Sequence, residues 1–213
     1  MIVYTPLDIK FTLPVYSDVL KYVEENYVVG LEEYTGYTNW LCPIATPFPA
    51  IDYRDPTQVF SPKELTEFKQ INFVPGILKK FPELQTIINS LPYKILYGVL
   101  FNLHRFPLTA HSDTLIDNDP PELERINILI SPHYGAKSFF LQRTPESDPI
   151  YPVTLQEYPA YAFNDTIMQH GADPVLENRI IIVFIGILDK EKHQELIARS
   201  VEKFKEYVIR VEE

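Results

Sequence analysis

Four residues stand apart in the sequence by type and order. His111 and Asp113 lie two residues apart in LTAHSDTLID. In an extended segment alternate side chains point the same way, so both can face one point in space. His170 follows 57 residues after Asp113, in FNDTIMQHGADP, and Arg179 comes nine residues later at the head of RIIIVFIG. Two imidazoles and one carboxylate make a facial ligand set suited to Fe(II), with His111, Asp113 and His170 as the candidate metal ligands. Iron prefers six ligands, so three positions would stay open for a bidentate co-substrate and dioxygen. Arg179 supplies a fixed cation whose planar fork can take a carboxylate in a two-pronged grip.

Such residues need rigid strands to bring them together, and the second half of the chain offers them. Residues 93–103 (YKILYGVLFNL), 125–131 (RINILIS), 137–143 (KSFFLQR), 150–155 (IYPVTL), 160–164 (AYAFN) and 179–187 (RIIIVFIGI) are short β-rich runs bounded by Pro, Gly, Asp and Asn. Their number and spacing predict a sandwich or barrel. The first half reads as helices and irregular connections. Residues 2–13 suit an edge strand, where Pro6 is tolerated. Residues 17–27 put Val19, Leu20, Val23 and Tyr27 on one helical face. Residues 30–60 read as a long ordered loop, a candidate lid carrying Trp40. Ser61, Pro62 and Glu64 form a capping box that opens a helix. A further helix near 82–91 places Leu84, Ile87, Ile88 and Leu91 on one side. Asp189 caps a last helix, with Leu196, Ile197, Val201, Phe204 and Val208 facing inward.

Taken together, these residues and runs resemble the Fe(II)/2-oxoglutarate-dependent oxygenase superfamily. The resemblance covers about residues 97–187: His-x-Asp at 111–113, the distal His170, Arg179, and a strand after each motif. The segment AFNDTIMQHGADPVLENRIIIVF is similar to the distal strand pair of the prolyl and aspartyl/asparaginyl hydroxylase branches. The resemblance implies a mainly β fold with flanking helices, built on a double-stranded β-helix (jelly-roll) core. That gives a single domain over 1–213, with helical and loop support at 1–92, the jelly-roll core at 93–188 and a C-terminal helix at 189–210. The implied activity is a hydroxylase that uses Fe(II), 2-oxoglutarate and O2 and releases succinate and carbon dioxide. Arg179 would pair with the far carboxylate of 2-oxoglutarate. Many members carry a serine two residues after this arginine, and this chain has Ile181. Asn102, Asn127 and Tyr97 are therefore the candidates, by strand position, for sharing the co-substrate.

Plainer readings stand beside each assignment. His-x-Asp alone is common by chance. His170 precedes Gly171 and suits a turn, while Arg179 can pair with Glu177 or Asp173 at a strand start. His104 and His133 are rival ligands; His104 reads better as structural or substrate-facing, and His133 lies in a turn-like SPHYGAK. Asp117, Asp119, Glu122 and Glu124 read as a solvated loop, and His193 as surface. Trp40 and nearby aromatics suit either a substrate entrance or a cap on the core. Asp165 suits either a turn or an acceptor that orients a ligand histidine. Two other functions fit the same residues: a jelly-roll binding module without chemistry, and a non-haem iron oxygenase that does not use 2-oxoglutarate.

Composition narrows the partners. The chain has 213 residues, 46% hydrophobic and 23% charged, enough apolar material for a full core. Net charge is −10, and the Lys and Arg are scattered apart from a C-terminal helix face, which disfavours a nucleic-acid backbone as partner. A small molecule or a protein or peptide side chain is the expected substrate. Cys42 is the single cysteine, so no internal disulfide forms, as suits a reducing cytoplasm. No basic-then-apolar leader opens the sequence, and no apolar run approaches a membrane span, so neither secretion nor membrane insertion is expected. The 19 prolines and 7 glycines are dispersed among Tyr, Phe and Ile, as short strands with rigid loops require.

Overall fold

The computed structural model describes residues 1–27, 39–46, 71–104, 108–111, 125–130, 139–143, 151–152, 158–165, 167–172 and 178–212. These residues form two antiparallel sheets with a few helices. The strands are β1 (Ile2–Pro6), β2 (Asn39–Thr46), β3 (Asn72–Phe73), β4 (Tyr93–His104), β5 (Leu108–His111), β6 (Arg125–Leu129), β7 (Phe140–Gln142), β8 (Tyr151–Pro152), β9 (Ala160–Phe163), β10 (Gln169–Ala172), β11 (Arg179–Leu188) and β12 (Ile209–Arg210). The helices are α1 (Tyr16–Asn26), α2 (Ile77–Lys80), α3 (Glu83–Ser90) and α4 (Lys190–Lys203). The larger sheet runs β12-β1-β9-β6-β11-β4-β2-β3 and the smaller β5-β10-β7-β8.

Strand alternation sorts the larger sheet into two faces. One face carries Val99, Phe101, Leu103, Ile126, Ile128, Ala160, Ala162, Ile180, Ile182 and Phe184, which pack with Val19, Tyr22, Val23, Leu84, Ile87 and Leu196 of the helices. Full burial of each large apolar side chain here contributes about 1.5–3 kcal/mol. The opposite face carries Tyr4, Leu129, Tyr161, Phe163 and Ile181, which cluster with Phe139, Leu141 and Met168 on and beside the smaller sheet. Along the middle of β11 both faces are apolar, Ile180 and Ile182 toward the helices and Ile181 and Val183 toward the second cluster.

Local chemistry explains the helices that the sequence marks. In α4 the Asp189 side chain accepts from the Lys192 backbone N–H, and a hydrogen bond with Lys192 is the main cause that lowers the Asp189 carboxyl pKa. In α3, Leu84 and Ile87 are buried as its spacing predicts. The Tyr16 hydroxyl of α1 donates to the Asn178 carbonyl at 2.7 Å, fixing the chain one residue before Arg179.

Several sequence expectations are corrected. Within residues 1–92, expected as helical and loop support, the described part holds the strands β1, β2 and β3 beside α1, α2 and α3. Within the 30–60 loop, residues 39–46 form a strand paired along β4. β1 is not an edge, because β12 covers its outer side. In α1, Tyr22 is buried and Tyr27 lies beyond the helix, 43% exposed. The last helix stops at Lys203 and does not reach 210; Ile209 and Arg210 pair with β1 instead. His193 is no surface residue but is buried, 3% exposed. The Ser61–Glu64 capping box, His133 and the acidic run 117–124 lie outside the described residues.

Cys42 is buried in β2, and burial pushes its thiol up to about 12 from 9.0. It therefore stays protonated near neutrality and is a packing residue, not a nucleophile.

Candidate functional site

The smaller sheet sets two of the candidate ligands side by side. β10 pairs antiparallel with β5, and His170 stands directly opposite His111. Directly opposed residues of such a pair project to the same face. Their imidazole rings lie 4.4 Å apart, centroid to centroid, with planes inclined at 47°. On its other side β10 pairs with β7, where Leu141 is opposite His170.

The His170 ring is held from behind. Its Nδ1 lies 3.2 Å from Asp165 Oδ1. Arg125 Nε donates to the other carboxylate oxygen at 3.3 Å. Phe163 and Phe139 flank the ring at 4.9 and 5.9 Å between centroids. The Nδ1 side of the ring thus faces a carboxylate. Two imidazoles arranged in this way can share one cation.

The larger sheet supplies a second group of polar residues on its inward face. Arg179 opens β11, and Ile181 and Val183 follow on the same face. Across the sheet Arg179 is opposite His104, Ile181 is opposite Asn102 and Leu129, and Val183 is opposite Asn127. Asn127 in turn is opposite Tyr161 of β9. Asn127 and Arg179 both act on the Tyr161 hydroxyl. Burial raises the Tyr161 pKa, and Arg179 and Asn127 partly offset that. Burial lowers the Arg179 pKa, with Tyr161 opposing it. Tyr4 packs 5.9 Å from Tyr161 and is likewise pushed up by burial.

Phe139 links the two groups: its ring lies 5.2 Å from Tyr161 and 5.9 Å from His170. Phe139, Phe163 and Tyr161 thus form an aromatic layer beside His170.

His111, His170 and Arg179 are all placed on inward-facing strands. Asp113 lies outside the described residues, as do Asp173 and Glu177. Among the described residues no group of three or more His, Cys, Asp or Glu side chains converges on one point. Asn127 reaches Tyr161. Asn102 sits next to Ile181, and its buried Oδ1 has no hydrogen-bond partner among the described residues. Tyr97 falls where the β4–β11 register slips, and its side chain lies outside the described set, as does that of Trp40. His104 is buried opposite Arg179 and on the larger sheet, away from the His111–His170 pair. Tyr161 is the residue that sequence reasoning missed. Its signal was slight: AYAF alternates small and aromatic residues, and only the pairing with Asn127 shows which aromatic meets the arginine.

No family model matches the chain. A stretch of 78 residues is 30% identical to ribonuclease HIII of Phytoplasma mali (strain AT), covering 37% of this chain and 27% of that protein. The chain therefore spans about a quarter of the length of the curated relative it matches. Two solved structures are similar at low level. One is a 2OG-Fe(II) oxygenase family oxidoreductase from Burkholderia pseudomallei, at TM-score 0.42 and 10% identity over 80% of each chain. The other is a prolyl hydroxylase from Trichoplax adhaerens, in complex with a hypoxia inducible factor oxygen degradation domain peptide fragment. It has TM-score 0.42 and 10% identity over 84% of this chain and 79% of that one.

Proposed function

We propose that this protein is an Fe(II)- and 2-oxoglutarate-dependent oxygenase that hydroxylates a small molecule or a protein side chain. The observation that carries the reading is the His111–His170 pair, cross-strand neighbours with rings 4.4 Å apart, although 59 residues separate them in the sequence. The two sheets are read as the halves of a jelly-roll core over 93–188, with 1–92 and 189–210 as its support.

The residue types suit a divalent iron. His111 and His170 lie side by side, the second with its Nδ1 against Asp165, and Asp113, two residues after His111, would complete two nitrogens and an oxygen. Bound Fe(II), with 2-oxoglutarate beside it, supplies the activation of dioxygen and the conversion of the co-substrate to succinate and carbon dioxide. The chain's own part is orientation and exclusion of water. Arg179 would hold the far carboxylate of 2-oxoglutarate, and the Tyr161 hydroxyl would donate to it where the family serine is replaced by Ile181. Asn127 keeps Tyr161 aimed, while Asn102 stands within the same row as Ile181. Phe139 and Phe163, packed beside the His170 ring, would help exclude water from it. A ribonuclease reading is not favoured, because a net charge of −10 opposes a phosphate-backbone partner.

The test is conversion of 2-oxoglutarate to succinate by purified protein with Fe(II), ascorbate and air. Uncoupled turnover is expected from the wild type, with loss to background in His111→Ala and His170→Ala. A wild type no faster than either variant would leave the protein a binding module.

A further inference from the structure

The carboxylate behind His170 does more than end a strand. β9 finishes at Phe163 and β10 begins at Gln169. Between them the Asn164 N–H donates to the Val3 carbonyl at 2.9 Å, and the Asn164 side-chain oxygen accepts from the Ile167 N–H at 3.1 Å. One Asp165 oxygen faces His170 and the other accepts from Arg125. Arg125 is itself fixed, as the first residue of β6 paired with Phe163. The side chains of Asp165 and His170 are 5% and 6% exposed, so neither is oriented by bulk water.

We infer that Asp165, held by Arg125, is a positioning residue that keeps a proton on His170 Nδ1 and so directs the Nε2 lone pair toward His111. The hydrogen bond made by one ring nitrogen decides which nitrogen carries the proton. A carboxylate accepts only, so the nitrogen facing it must be the donor. The opposite ring nitrogen is then a permanent acceptor, as a metal ligand has to be. A carboxylate behind a ligand imidazole also raises its basicity, and losing such a partner typically weakens metal binding by about 10- to 100-fold. This inference rests on the metal reading for its purpose, but its first test needs no metal.

Long-range nitrogen–proton correlation spectra of the metal-free full chain, recorded where the imidazole is neutral, read the tautomer of His170 directly. The wild type is expected to hold the Nδ1–H form. Asp165→Ala should move His170 toward the Nε2–H form, and Asp165→Asn should keep Nδ1–H, because its amide oxygen still accepts. Co(II) titration followed by absorption should show about 10- to 100-fold weaker binding for Asp165→Ala and a much smaller loss for Asp165→Asn. A wild-type His170 found as Nε2–H overturns the assignment with no variant needed, as does an Asp165→Ala protein that is folded with its tautomer unchanged. If the tautomer responds as expected while Co(II) fails to bind the wild type, the metal reading falls and the role of Asp165 stands.

Discussion

Arg179 shows how a single side chain separates the rival functions. It is buried at the head of β11, where burial disfavours its charge and the nearby phenol of Tyr161 opposes that effect. A dianionic co-substrate would repay that burial through a charge-assisted, two-pronged contact. Hydrogen bonds to a charged group are worth about 1.5–3 kcal/mol, so Arg179→Ala should weaken 2-oxoglutarate about 10- to 150-fold. Arg179→Lys keeps the charge but not the fork, and should recover only part of the loss. Both are read from the concentration dependence of succinate formation. Succinate formation unchanged in Arg179→Ala would show that Arg179 does not hold the co-substrate. At this scale the sequence was informative for residues whose chemistry is rare. His170 and Arg179 could be singled out by type and spacing, and Asp165 by its nearness to His170. Tyr161 could not, since one tyrosine among 14 carries no mark until pairing puts it opposite Asn127.

The positions of these side chains depend on the long β4–β11 pair, and its weak point is a glycine. The register slips between Ile185 and Gly186. A Cβ on Gly186 would collide with the Ile95 carbonyl oxygen and crowd the Tyr93 ring and the Leu96 Cα. The obstacle is largely backbone, which cannot swing aside. Gly186→Ala should therefore destabilise the fold by about 1–3 kcal/mol, measured by urea unfolding. Gly98→Ala, on the partner strand, is the control: its Cβ would meet Ala45 O and Ile185 at ordinary contact distances near 3.7 Å, so little change is expected. Equal effects at the two sites would contradict the described register. Strands such as 125–129 and 179–188 were legible because β-branched runs bounded by polar residues have few other homes. β2 was not. NWLCPIAT contains a proline and reads as loop, and it becomes a strand only because β4 offers it a partner. Its pairing slips between Pro43 and Ala45, and β3 covers only Ala45 and Thr46, so the missing N–H at Pro43 falls in an irregular stretch. In α4 the apolar stripe was legible in part: Leu196 and Phe204 are buried and Ile197 packs against the core, but His193 and Ser200 complete the buried line. Ser200 turns inward because its hydroxyl accepts from the Asp8 N–H at 2.9 Å.

On the scale of the whole molecule, one large sheet carries both stability and chemistry by dividing them between its faces. The helix-covered face is wholly apolar in its core, from Val99 to Ile182. The face toward the smaller sheet mixes aromatic packing with Arg179, Asn127, Asn102 and Tyr161, and the smaller sheet answers with His111 and His170. The number and spacing of the β-rich runs made a layered β core readable, whereas the partition into two sheets depends on contacts distant in sequence, which no local pattern encodes. The account requires that the inter-sheet space hold one metal between residues from β5 and β10. The most direct measurement is an anaerobic crystal structure with Mn(II) and N-oxalylglycine, an inert analogue of 2-oxoglutarate, with the metal located by its anomalous scattering. The account predicts one manganese bound by the His111 and His170 imidazoles and the Asp113 carboxylate, with the analogue's far carboxylate on Arg179. Manganese bound elsewhere, or His111 and His170 turned away from a common ion, would contradict it.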